Sequence, residues 1–272
     1  MTAVPESTPP TAPAPKRAVR AAFDKAAPAY DAVAHVQRAA CDRLLSLAGA
    51  DPAFCPNTVL DAGCGTGYAL PGLAARFPAA RLLALDFAPA MLARHPAGLA
   101  LPVCGDLEHL PLAPASIDAL WSSYAIQWCE PGRTLAGMAR VLRPGGRLWL
   151  CTLGPGTLGE LRAAFRAVDG GEGAHVLRFT PPEQLETHLA AAGFRVLHHE
   201  RATLKAWAPD LMSLLKDIKT LGAHQTGARR APLGKAAWAR LSAAYEGYRE
   251  APGLPASYDT LWYLAEAPPG PR

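Results

Sequence analysis

Nothing in the 272-residue chain approaches the ~20 consecutive apolar residues that span a bilayer, and its mean hydropathy is +0.05. A globular protein with no membrane partner is expected. The N-terminus shows no apolar centre of a signal peptide. Residues 1–15 are instead rich in Pro, Thr and Ala, a composition too poor in apolar surface to order itself, and read as a disordered tail. The six cysteines (Cys41, Cys55, Cys64, Cys104, Cys129, Cys151) form no Cys-x-x-Cys pair. Neither a zinc site nor a disulfide framework is indicated, and no metal is expected. Thiols in apolar runs act as small hydrophobes, which suits a cytoplasmic protein. Charge is sparse as well: 18% of residues, net +4, too mild to point to nucleic acid.

That small excess is unevenly placed. Residues 201–249 hold nine basic and three acidic residues, net +6. Such a segment favours an anionic partner through its summed field.

Short continuous apolar runs alternate with helical stretches from residue 58 to 152. Expected strands are Thr58–Asp61, Arg81–Asp86, Ala100–Cys104, Ile117–Ser122 and Arg147–Thr152. Runs of this kind suit parallel strands covered by helices on both faces. The expected fold is an α/β, doubly wound, mostly parallel seven-stranded sheet. Residues 16–50 form an N-terminal helical cap, 51–200 the core, 201–254 a basic helical lid and 255–267 the last strand.

The densest signal is Val59-Leu60-Asp61-Ala62-Gly63-Cys64-Gly65-Thr66-Gly67. A strand ends at an acid, and three glycines at alternate positions follow. Glycine is needed where φ turns positive or where a Cβ would meet a ligand. The spacing is not the Gly-x-Gly-x-x-Gly of dinucleotide binding, because Tyr68 stands in the third glycine's place. No second nucleotide-binding half follows, so a nicotinamide dehydrogenase is disfavoured. Asp86 and Asp106 end the next two strands. A carboxylate at the first position can accept from both ribose hydroxyls, and one at the second from an exocyclic amino group, with the Leu107 amide beside the ring.

This ordered set resembles the class I S-adenosylmethionine-dependent methyltransferases. It includes Asp61-x-Gly-x-Gly-x-Gly67, Asp86 with Met91, Gly105-Asp106-Leu107, Leu110-Pro111-Leu112 before Ile117-Asp118, and Leu142-Arg143-Pro144-Gly145-Gly146. The resemblance implies S-adenosylmethionine as cofactor, held by Asp61, Gly63, Cys64, Gly65, Asp86, Phe87, Met91, Asp106, Leu107 and Ser122. Further segments are similar to the malonyl-[acyl-carrier protein] O-methyltransferase family of biotin synthesis. They are Phe23-x-x-Ala26-Ala27-x-x-Tyr30, Val36-Gln37-Arg38, Trp121 to Cys129, Thr152 to Leu161, Phe179-x-Pro181 and Ile218 to Ala223.

That resemblance implies esterification of the free carboxylate of a malonyl thioester, on an acidic carrier protein or on coenzyme A. Acceptor-side candidates are then Tyr30, Gln37, Ser123, Gln127, Trp128, Arg143 and Lys219, with Arg143 or Lys219 as the cation for the carboxylate. Methyl transfer needs alignment above all, and an acceptor that is already anionic needs no general base. A methyltransferase for a free small acid or a quinone precursor is the alternative, and a non-catalytic cofactor-binding protein is a third reading.

Overall fold

The computed structural model describes residues 15–49, 53–170, 176–221 and 233–269. The expected tail falls outside them except for Pro15, as does the Gly- and Arg-containing stretch with Gly222, Ala223, Arg229 and Arg230. Seven strands form one sheet: β1 Thr58–Ala62, β2 Arg81–Asp86, β3 Leu101–Cys104, β4 Ile117–Ser123, β5 Leu142–Leu153, β6 Arg195–Ala208 and β7 Leu254–Glu266. Their order is β3-β2-β1-β4-β5-β7-β6. The first five run parallel, and β7 lies antiparallel between β5 and β6. The chain reverses its winding between β1 and β4, and in open α/β sheets ligands bind beyond the carboxyl ends of strands at such a point.

The helices are α1 Lys16–Val33, α2 His35–Ala48, α3 Leu70–Arg76, α4 Pro89–Leu92, α5 Pro131–Val141, α6 Gly159–Asp169, α7 Pro182–Ala191, α8 Leu211–Thr220 and α9 Lys235–Glu246. Two buried clusters cover the sheet. One gathers Leu44 and Leu47 of α2 with Trp121, Trp149, Leu214 and Tyr245. The other gathers Leu135 and Met138 of α5 with Leu185 and Leu189 of α7. In α2, Val36, Ala40, Leu44 and Leu47 are buried, a spacing that lays one helical stripe on the sheet. Trp262 Nε1 donates to the Ala40 carbonyl at 2.9 Å and ties α2 to β7. Truncating the fully buried Leu44 to Ala would destabilise by about 2–5 kcal/mol.

The last two strands are the longest of the sheet, with 14 and 13 residues. They pair from Arg195↔Glu266 to Ala208↔Leu254. β6 is an edge strand, mostly exposed, so its polar residues hide its extent. It runs through residue 201 to Ala208, and the helices placed between the last two strands begin only at Leu211. Arg143-Pro144-Gly145-Gly146 sits at the start of β5 as an irregular stretch, with Gly145 at φ 72° and a register shift opposite Ile117/Ala119.

Candidate active site

The glycine turn after β1 is stitched to β2 by the amides of Gly63 and Cys64, which donate to the Leu85 carbonyl at 2.7 and 3.0 Å. Gly63, Gly65 and Gly67 have φ of 79°, 53° and 84°, left-handed conformations that favour glycine. A Cβ on Gly63 would come 2.3 Å from the Cβ of Ala125, so this glycine lets the turn close on the loop after β4. A Cβ on Gly65 would meet nothing within 4 Å. There the space is a cleft of about 1030 Å³, open solvent at its mouth included.

Asp61, Cys64, Asp86, Phe87, Met91, Asp106 and Leu107 line this cleft with Gly63 and Gly65. Asp86 accepts from the Ala88 amide at 2.8 Å and the Gly65 amide at 3.0 Å. It therefore braces the glycine turn and the residue that precedes α4 while facing the cleft. Asp106 caps the short 3-10 turn Leu107–His109 through the Glu108 amide at 3.0 Å. Ser122 is different. Side chains alternate along a strand, and Trp121 and Ser123 face the cleft while Ser122 does not. Its buried hydroxyl donates to the Ala62 carbonyl at 2.8 Å, a bond that joins β4 to β1.

On the acceptor side, Tyr30, Gln37, Ser123 and Trp128 all line the cleft. Gln127 does not line it; its Nε2 donates to the Tyr124 carbonyl at 2.6 Å. Arg143 stands at the opposite, amino-terminal end of β4 and β5, 2.5 Å from Asp118, which also accepts from the Asn57 and Thr58 amides before and within β1. A surface turn at the start of a parallel strand cannot reach a site at the strands' carboxyl ends. Lys219 is exposed near the end of α8 and is not in the cleft wall.

Several lining residues carry little sequence signal. Helix α1 roofs the cleft with Lys16, Val19, Phe23 and Tyr30. Phe23 packs edge-on against Trp128 at 5.4 Å and Phe87 at 6.2 Å. Lys16 reaches Asp106, the Ala90 amide donates to Asp24 at 3.0 Å, and Thr66 donates to Asp31 at 2.8 Å. Tyr124 lines the cleft at φ 50°, an uncommon conformation for a bulky residue, and its hydroxyl lies 2.5 Å from Thr260. Arg38 lines it too, stacked 5.2 Å over the Tyr68 ring. Its place within Val36-Gln37-Arg38 was the one sequence pointer to it.

The polar interior has unspent capacity. Gln37 Oε1, Arg38 Nε, Asp61 Oδ2 and Trp121 Nε1 are buried without a hydrogen-bond partner, and all four residues line the cleft. Buried polar atoms are normally paired, so these mark places for ligand groups. An unpaired carboxylate oxygen and an unpaired guanidinium N–H in one cleft suit the ammonium and carboxylate of an amino-acid moiety. Asp61 is 3% exposed, and burial, with the nearby charge of Asp86, pushes its pKa up to about 8. Burial also raises Asp86, against the amides that bond it, and raises the Tyr30 hydroxyl.

A model of the methyltransferase domain family matches residues 60–150, the segment that holds the glycine turn and both acidic strand ends. A malonyl-[acyl-carrier protein] O-methyltransferase of Dechloromonas aromatica is 42% identical over 255 residues, which cover 92% of this chain and 94% of that one. A match of that extent is not confined to the sheet.

The chain belongs to the malonyl-[acyl-carrier protein] O-methyltransferase family.

Members of this class take S-adenosylmethionine as methyl donor, and the unpaired groups of the cleft fit its amino-acid end. A second O-methyltransferase of the family, from Herminiimonas arsenicoxydans, is 40% identical over 92% of this chain and 96% of its own. The biotin biosynthesis bifunctional protein of Cellvibrio japonicus is 40% identical over 93% of this chain, which spans 50% of that protein. Among solved structures, a methyltransferase from Bacillus halodurans superposes with a TM-score of 0.59 at 15% identity, over 84% of this chain and 98% of that one, a likeness of fold. No described helix is long and apolar enough to cross a membrane.

Proposed function

We propose that the chain methylates the free carboxylate of a malonyl thioester held on acyl-carrier protein, and so supplies the methyl ester that primes the pimeloyl chain of biotin. Two relatives that align with more than nine-tenths of it are named as malonyl-[acyl-carrier protein] O-methyltransferases, and a third, twice its length, is named for biotin synthesis. One feature of the cleft carries the reading: with Asp61 assigned to the ammonium of the donor, the described residues of its wall leave no base over for the acceptor. No histidine lines it. Asp31, Asp86 and Asp106 are committed to Thr66, to backbone amides and to Lys16. Burial pushes Cys129 up to about 12 and the Tyr30 hydroxyl higher still. A phenol or amine acceptor would need its proton removed here, whereas a malonyl carboxylate is already ionised.

Bound S-adenosylmethionine supplies a sulfonium methyl group open to in-line attack. The protein's part is then to align and to exclude water. Asp61 would accept from the donor's ammonium and Arg38 would donate to its carboxylate, while Asp86 would take the ribose hydroxyls. Asp106 and Leu107 hold the adenine. Phe23, Trp128, Tyr124 and Ser123 would wall the space for the acceptor, and Tyr30 and Gln37 would close it from the cap. In the segment 201–249, Arg201, Lys205 and Arg249 are spent in ion pairs with Asp259, Glu250 and Glu246. Lys216, Lys219, Lys235 and Arg240 are exposed with no ion pair among the described residues. These four are the cations offered to an acidic carrier.

Turnover of malonyl-carrier, malonyl-coenzyme A and free malonate tests the assignment. The carrier thioester is expected to react with the highest kcat/KM, and Lys216→Glu with Lys219→Glu to lower that value while sparing the coenzyme A substrate. Equal turnover of the free acid would favour a small-acid methyltransferase instead.

A further inference from the structure

His95 stands outside the cleft, behind the glycine turn. It follows α4, whose Met91 lines the cleft. Its ring Nε2 lies 3.0 Å from the Gly65 carbonyl oxygen and 3.4 Å from Cys64 Sγ. A carbonyl can only accept, so the proton of this bond sits on Nε2. The other ring nitrogen, Nδ1, is buried with no partner. A buried polar atom left unpaired is unfavourable, and the ring is kept there despite it.

What the ring holds is the Gly65 peptide. Asp86 takes the N–H of Gly65 at 3.0 Å, and His95 supplies the proton for its C=O. The same ring closes the back of Gly67, where a Cβ would stand 3.0 Å from His95 Cδ2. Glycine has no side chain to fix its own conformation, so a turn with three of them takes its shape from what surrounds it. Of these surroundings, Asp86 lines the cleft and His95 does not.

We propose that His95 is a positioning residue for the methyl donor: its Nε2–H sets the Gly65 carbonyl and so holds the turn, with Asp86 bonded to it, in the shape that receives S-adenosylmethionine. The role rests on S-adenosylmethionine as the nucleoside bound in this cleft. It concerns donor affinity and not the transfer step, so it separates Kd from kcat.

Calorimetric titration of S-adenosylmethionine into the native protein, His95→Leu and His95→Gln tests it. Leucine fills similar space without a donor, and glutamine places an amide N–H near the position of Nε2. The expected result is a Kd about tenfold weaker for His95→Leu, the effect of one lost hydrogen bond beside a buried carbonyl. His95→Gln is expected within about threefold of native, and kcat at saturating donor is retained in both variants. Native-like affinity in His95→Leu, or equal loss in both variants, would overturn the role. Failure of the native protein to bind would instead remove the donor assignment. Should His95→Leu not fold, the ¹⁵N–¹H spectrum of the native ring decides: a hydrogen-bonded proton on Nε2 is expected, and an Nε2 without a proton overturns the proposal.

Discussion

Lys16 Nζ donates to both carboxylate oxygens of Asp106, at 2.5 and 2.6 Å, across 90 residues of sequence. It stands 3.1 Å from Glu108 as well. Burial works against the lysine's charge, but the two carboxylates outweigh it and hold its pKa above the usual value. For Asp106, burial pushes the carboxyl up, and the bonds from Lys16 and the Glu108 amide overcome that and hold it low. The first turn of the roof is thereby pinned to the strand end assigned to adenine.

Lys16→Met should release that end of the roof. Both side chains are about one-third exposed, 35% and 32%, so the pair contributes little to stability; about 1 kcal/mol or less is expected. The change in Tm is then no more than about 4 °C. Dissociation of S-adenosylmethionine, followed by stopped flow, is expected to be faster than in the native protein. An unchanged rate would show that the pair does not hold the roof.

Proton exchange at Asp61 gives a pH signature. With a pKa of about 8, this carboxyl is mostly protonated in the free protein at pH 7. Asp86 keeps the charge of the pair, because its two backbone donors favour the ionised form. A donor ammonium beside Asp61 lowers its pKa in the complex. Binding therefore releases a proton, and affinity rises with pH toward about 8, then levels. Calorimetry in buffers of different ionisation enthalpy measures the release. Asp61→Asn should abolish it and weaken binding by one charge-assisted hydrogen bond, roughly 1.5–3 kcal/mol.

Phe23 joins the roof to the acceptor wall through its edge-on contacts with Trp128 and Phe87. Removing the ring forfeits these two aromatic pairs and a third with Tyr30 at 6.4 Å, each about 0.5–1.5 kcal/mol beyond its area. Phe23→Ala is expected to lower kcat and raise the KM for the malonyl thioester together. A variant with unchanged kcat/KM would show that the roof takes no part in alignment.

Arg143 supplies the contrary case. Arg143→Gln loses its ion pair with Asp118 at the far end of the sheet. Half-exposed, that pair is expected to contribute about 1 kcal/mol or less. Both kcat and KM should stay at native values in steady-state assays; a large rise in KM would return Arg143 to the site.

The inner parallel strands were legible because burial on both faces leaves continuous apolar runs, most of them stopped by an acid or a glycine. Asp61, Asp86 and Asp106 accordingly reach one edge of the sheet, as their positions in sequence imply. Ser122 was not legible: in Trp121-Ser122-Ser123 nothing local says which serine faces the cleft, since a fully buried strand has no polar face to set its register. Lys16, Phe23 and Asp31 depend on how α1 docks, which no spacing within α1 reports. Tyr124 carries a positive φ with a side chain that gives no sign of it. Arg143 was misplaced because a turn that ends a helix and starts a strand reads the same whichever end of the sheet it occupies.

The central claim is that the acceptor atom is a carboxylate oxygen of the malonyl group. Tandem mass spectrometry of malonyl-carrier incubated with the native protein and methyl-¹³C-labelled S-adenosylmethionine tests it most directly. The account predicts one labelled methyl group on the terminal carboxylate, lost as methanol on mild alkaline hydrolysis. Label on carbon, on the carrier polypeptide, or nowhere while the donor is bound would contradict it.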